Sequence, residues 1–450
     1  YRLREKIVGE PDFVKIAYSK KDPRYLLSRF MMWIGNSALA AFNMLITIDL
    51  FSNYFYSYFA GRPFSFLEKL VLLFLLSAVI LILYKAWEGA VNLQNYVTIV
   101  FIILFFLHMI GLGYEYSLIQ QFRVEFTIGF SIDLLFYTLT AAAYIFMVTF
   151  GFQEVMGLGE NVEGETPDEK FRNLKKAMIG GSLLANLITL LYIFEILALS
   201  QVNTLPLTPV PVLDILNRRP LFYWLTFITI ILGMTTTLIP VFVASLKHLE
   251  QLTEDFFGVR TTALLPYLVI FLAWFLFTSG AEFLIHLMDY AVLVSFGIIA
   301  LSEKALRERA GDIRGGKKLG TITSILTLIM FLALAYESRA IAEESILFMW
   351  ISTVLIMVLS YNIPLAEIFT IIVGILTAVF TSPLLGLLAD LASLGLLAPV
   401  DIPVYQATII ALWTLYIALA SLIIHLIMKH KQLVENILIY TIKLIYKIIK

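Results

Sequence analysis

About twelve runs of apolar residues, most of them long enough to cross a bilayer, constrain this chain more than any other feature. They fall near 30–59, 68–87, 96–113, 130–152, 177–199, 222–246, 261–278, 283–301, 320–336, 344–360, 366–389 and 404–429. A run of about 18 or more such residues reads as a membrane helix, because a backbone in lipid must satisfy its own hydrogen bonds. Hydrophobic residues make up 60% of the 450 and charged ones 14%, against about 25% charged in soluble domains. The expected fold class is therefore all-α, a polytopic integral membrane protein of about twelve transmembrane helices.

Loop charges set the orientation. Residues 1–29 carry eight lysines and arginines, from Arg2 to Arg29, and read as a cytoplasmic segment by the positive-inside rule. The loops near 170–176 and 304–318 are also basic, whereas those near 114–128, 200–221 and 337–343 carry few such residues. Both termini are thus expected in the cytoplasm, with the plasma membrane as location. Residues 30–429 form the membrane domain. Residues 430–450 place Ile437, Leu438, Thr441, Leu444, Ile445 and Ile448 on one face, as an interfacial helix on the inner leaflet would; an extension of the last membrane helix is the alternative. The prolines of 202–220 prevent that loop from being helical throughout.

Residues 146–178 are the most informative stretch. An apolar helix reaches Thr149-Phe150-Gly151-Phe152 and runs into a charged loop that ends in Arg172, Lys175 and Lys176. Glycine in a membrane helix serves close packing or marks a break where freed backbone groups bind a ligand. Gly151-Phe152-Gln153, Glu160-Asn161-Val162 and Lys176-Ala177 match in spacing the sixth helix and following loop of the amino acid–polyamine–organocation (APC) transporters. Gln153 and Asn161 stand where that family has acids, and Thr149 where it has phenylalanine. Leu93-Gln94-Asn95-Tyr96-Val97-Thr98 is similar to the start of the family's fifth helix, and the approach to Phe30-Met31-Met32-Trp33-Ile34-Gly35 to its third.

The resemblance, useful from about residue 18 to 310, implies an offset of two helices. The family's first two helices are then expected upstream of Tyr1, for about fourteen in all. It also implies an inverted-repeat fold whose first repeat is incomplete here, with substrate held at the broken sixth helix. The implied substrate-binding residues are Phe146, Thr149, Phe150, Gly151 and Gln153.

Other candidates concern a coupling ion, Na+ or H+. Thr235, Thr236 and Thr237 lie mid-helix, where hydroxyls either help hold sodium, as in sodium-coupled relatives, or bond their own backbone. Glu282, His286 and Asp289 share one helical face. Intramembrane ionisable groups call for a functional hypothesis, here proton handling, with Glu282 and His286 near the outer interface and Asp289 deep. One helix face supplies too few ligands for a metal, so no metal or other cofactor is expected. Asp49, Asp133 and Glu195 fall near predicted outer ends, where interfacial water would solvate them, and His108 reads as a hydrogen-bonded structural histidine. Phe101 stands where some proton-coupled relatives have a lysine.

The absence of cysteine excludes disulfides and thiol catalysis. Without a Walker loop, an H-E-x-x-H or a nucleophile elbow, no enzyme activity is expected. The net charge of −1 gives no ground for nucleic-acid binding. The resemblance implies an ion-gradient-driven secondary transporter of amino acids or related small amines, working by alternating access. The alternative is a non-transporting membrane scaffold subunit, with protein subunits as partners.

Overall fold

A computed structural model of the protein describes residues 9–85, 87–115, 132–148, 164–202, 210–216, 219–257, 270, 281–310 and 319–337. Among them every regular element is helical, and six helices are long and apolar enough to cross a membrane. The runs beyond residue 337, the run at 261–278 apart from residue 270, and the 430–450 segment lie outside the described residues.

Local chemistry starts and stops these helices. α1 is Pro11–Ala17 and α2 is Pro23–Leu50. Asp22 caps α2, its side chain accepting the Arg24 N–H at 2.9 Å, with Pro23 as the first helical residue. The span continues through a π-helical turn, Phe51–Tyr56, and α3, Ser57–Ala60. Gly61 ends it at φ 68°, donating to the Ser57 carbonyl, a left-handed stop that costs glycine nothing. α4 (Phe66–Lys85) begins with a capping box: the Ser65 N–H donates to the Glu68 carboxylate at 2.6 Å, and the Glu68 N–H returns to Ser65 Oγ at 3.4 Å.

α5 is Trp87–Glu115, α6 is Ile132–Val148 and α7 is Pro167–Val202. α7 begins ten residues before its apolar run, because Thr166 accepts the Glu169 N–H at 3.2 Å and Glu169 accepts the Glu165 N–H at 3.1 Å. The basic cluster Arg172, Lys175 and Lys176, expected in a loop, is therefore helical. Within the proline-rich connection, α8 (Pro211–Leu216) forms one short helix. α9 is Pro220–Phe257, α10 is Ala281–Ala310 and α11 is Leu319–Glu337.

α2 is the centre of the packing. It lies antiparallel to α9, joined by Ser37 Oγ to Ser245 Oγ at 2.6 Å, and to α10, joined by Ser28 Oγ to Ser295 Oγ at 3.1 Å. α9 in turn packs on α5, and α10 on α11. By contrast α4, α5 and α7 turn residues such as Phe74, Ile110 and Leu183 outward, surfaces that only an apolar surrounding covers without cost. At the Tyr56 end of the bundle Tyr58, Tyr223 and Trp224 gather with Phe55, Phe59 and Phe227, the composition of an interfacial aromatic belt.

Candidate functional site

Thr149, Phe150, Gly151 and Gln153 lie outside the described residues, as does the side chain of Phe146 within α6. What the structure does place is a second break, in α9. Pro240 sits inside that helix and cannot donate to the carbonyl four residues back. That carbonyl belongs to Thr236, and Gln94 of α5 donates to it through Nε2 at 3.0 Å. A neighbouring helix thus supplies the bond that proline removes. One turn earlier a Cβ on Gly233 would meet the ring of Phe101 at 3.0 Å, so glycine here permits close approach of α5. The three threonine hydroxyls turn back on their own helix: Thr235 to Ile231 O at 2.8 Å, Thr236 to Gly233 O at 2.7 Å and Thr237 to Met234 O at 2.9 Å.

The Glu282–His286–Asp289 face is α10 where it crosses α2. The Glu282 side chain is outside the described residues. His286, expected near wetted interface, is buried, because Leu284, Leu287, Met288 and Tyr290 around it are packed against the rest of the bundle. Asp289 is 1% exposed, and neither carboxylate oxygen has a hydrogen-bond partner. One turn on, Val292 lies 3.5 Å from where a Cβ on Gly35 would stand, so Asp289 is one turn from a contact of α10 with α2. On α2, Trp33 Nε1 and Asn43 Nδ2 are buried donors likewise without a partner. Nearly all buried polar groups are satisfied, so the two bare oxygens of Asp289 are exceptions on α10, and Trp33 Nε1 and Asn43 Nδ2 are separate exceptions along α2.

Sequence reasoning missed the network at the Pro23 end. Arg29 is fully buried; its Nη2 donates to Asp12 and its Nη1 to His248 Nδ1 at 3.0 Å. A guanidinium has no acceptor, so Nδ1 of His248 is the bare, accepting nitrogen. The second Asp12 oxygen accepts the Gly9 N–H at 3.3 Å. Beside this network Lys15 grips both oxygens of Asp255 at 2.9 and 2.8 Å, joined by Tyr25 and by Gln251 at 2.9 Å. α1 therefore ties α2 to α9 through two ionic clusters. The signal was available in principle as a charge, Arg29, at the very edge of the first apolar run.

The other acids divide. Asp49 binds Lys69 of α4 at 2.7 Å and the side chain of Asp133 is outside the described residues. Glu195, expected at a wetted interface, is fully buried on α7. No protein-family model and no curated protein matches the chain.

Proposed function

We propose that the chain is the helical body of an ion-coupled secondary transporter of amino acids or related small amines. Its organisation is then that of the APC superfamily, with about twelve spans in the plasma membrane and the Pro23 end of α2 in the cytoplasm. One observation carries the reading: the helices pair in a mirrored way. The span Pro23–Ala60 and α9 are each 38 residues long, open with proline, and are followed in sequence by glycine (Gly61, Gly258). Gly35 and Gly233 stand at almost the same point along them. Gly35 admits α10 against the first span, and Gly233 admits α5 against the second. Since α2 and α9 are antiparallel, this is the pairing that an inverted repeat generates, and such repeats place transport sites at their interface.

Asp289 supplies the coupling chemistry in this reading. A buried carboxylate without a partner stabilises a proton or cation entering beside it, and a group this costly to bury in a membrane is expected to have a use. Reconstituted uptake tests the proposal. Saturable uptake of an amino acid or small amine under an H+ or Na+ gradient is expected, with accumulation lost in Asp289→Asn. If no gradient drives uptake of any such compound, the scaffold alternative replaces transport.

A further inference from the structure

We infer that His108, Glu195 and Thr226 form a binding site for a single proton, separate from Asp289. The three residues come from α5, α7 and α9 and are 3%, 0% and 2% exposed. His108 Nε2 lies 2.8 Å from Glu195 Oε1, and His108 Nδ1 lies 2.9 Å from Thr226 Oγ1. The same hydroxyl is 2.7 Å from the carbonyl of Phe222 on its own helix.

The hydrogen count at Thr226 gives the site its property. A hydroxyl has one hydrogen and can also accept. When it donates to the Phe222 carbonyl, it accepts from His108 Nδ1–H. The Nε2–Oε1 contact then holds one proton, as imidazolium with carboxylate or as neutral imidazole with carboxylic acid. When the hydroxyl instead donates to a bare Nδ1, Nε2–H donates to the Glu195 carboxylate. The group as a whole has then released one proton. Both states keep the two histidine bonds: loading adds one proton to the imidazole–carboxylate pair and turns the Thr226 O–H from Nδ1 to the Phe222 carbonyl. Glu195 Oε2 has no hydrogen-bond partner.

Few other charges face the site. Residues 94–113 of α5 and 220–246 of α9 contain no Asp, Glu, Lys or Arg, and in residues 177–202 of α7 Glu195 is the single charged residue. Tyr192, on the preceding turn of α7, is a titratable group that interacts with Glu195. Toward the Tyr56 end, Asp214 of α8 faces Tyr223 and receives the Tyr54 hydroxyl at 3.2 Å. A cavity of about 150 Å³ there is lined by Asn53, Tyr54, Ser57, Asp214 and Tyr223, the last of which stands one turn of α9 before Thr226. The assignment depends on this geometry alone, whether or not the chain transports.

The test needs no substrate. Infrared difference spectra of the purified protein, titrated in H2O and in D2O, are expected to show imidazole and carboxyl bands changing together at one midpoint. Proton counting with a pH indicator is expected to give one fewer proton per chain in a His108→Gln, Glu195→Gln double variant. In Thr226→Val the midpoint should move by roughly tenfold in proton affinity, the effect of one lost hydrogen bond to a group that changes charge. Bands that titrate at separate midpoints, or do not titrate, in the unmodified protein overturn the assignment, as does an unchanged proton count in a double variant that elutes as the native species.

Discussion

Two buried regions of this molecule treat charge in opposite ways. At the Pro23 end, Arg29, Asp12, His248, Lys15 and Asp255 are all bonded to one another or to a neighbouring polar group. At the α2–α10 crossing, Asp289 is equally buried and has no hydrogen-bond partner. Burying a charge is costly in both places, but only in the first do partners offset the cost. The first arrangement has one low-energy state and holds helices together. The second is unsatisfied as it stands and gains by taking something up. Pairing of opposite charges marks the fastener here, although Arg29 Nε has no hydrogen-bond partner, whereas at Asp289 both oxygens lack one.

The largest break in that comparison is Arg29→Met. It leaves Asp12 buried without its guanidinium partner, and unfolding in detergent should show a loss of about 3–5 kcal/mol. Removing the acid as well, in Arg29→Met with Asp12→Leu, should recover much of the loss, since no orphaned charge remains. Asp289→Leu should move stability the other way. Replacing an unpaired buried carboxylate by an apolar side chain of similar size removes a desolvation cost, and a gain of about 1–3 kcal/mol is expected. A large loss there would mean that Asp289 has a structural partner and belongs with the first region.

Packing sharpens the same contrast on a smaller scale. A Cβ at Gly9 would stand 3.0 Å from His248 Cε1, in a ring held by Arg29, whereas at Gly35 it would meet Ala291 and Val292 at an ordinary 3.5 Å. Gly9→Ala is therefore expected to cost about 1 kcal/mol, and Gly35→Ala less, by thermal unfolding of both variants in one detergent.

These regions were unequally legible from sequence. The helical class followed from run length, which is a one-dimensional property. Helix starts were partly legible: Ser65-x-x-Glu68 and Thr166-x-x-Glu169 carry capping signals, yet apolarity alone began α7 ten residues late. Asp289 stood out because an acid within a long apolar run is conspicuous by itself. The pairings did not, because His108 and Glu195, or Arg29 and His248, are far apart in the chain. Only the packing of α5 on α7, or of α2 on α9, brings them together. Pro240 and Gln94 show the same limit: the proline announces an orphaned carbonyl, but not which helix satisfies it. The substrate-binding residues implied by the family resemblance, from Phe146 to Gln153, have no described side chains to set beside that expectation.

The smallest expected effect separates the two ionic clusters at the Pro23 end. Lys15 and Asp255 are 25% and 8% exposed at their side chains, against 0% and 4% for Arg29 and Asp12. Water reaches the Lys15 ammonium and already supplies part of what Asp255 offers, and Tyr25 and Gln251 stay bonded to Asp255 if the lysine is lost. Lys15→Met should therefore cost only about 0.5–1 kcal/mol, and the difference from the unmodified protein should shrink as salt is raised. The Arg29→Met loss should not respond to salt, because ions do not reach that pair. If the two variants instead showed the same salt dependence, the Arg29 network would be open to solvent, and charge pairing away from water could not be what distinguishes it from Asp289.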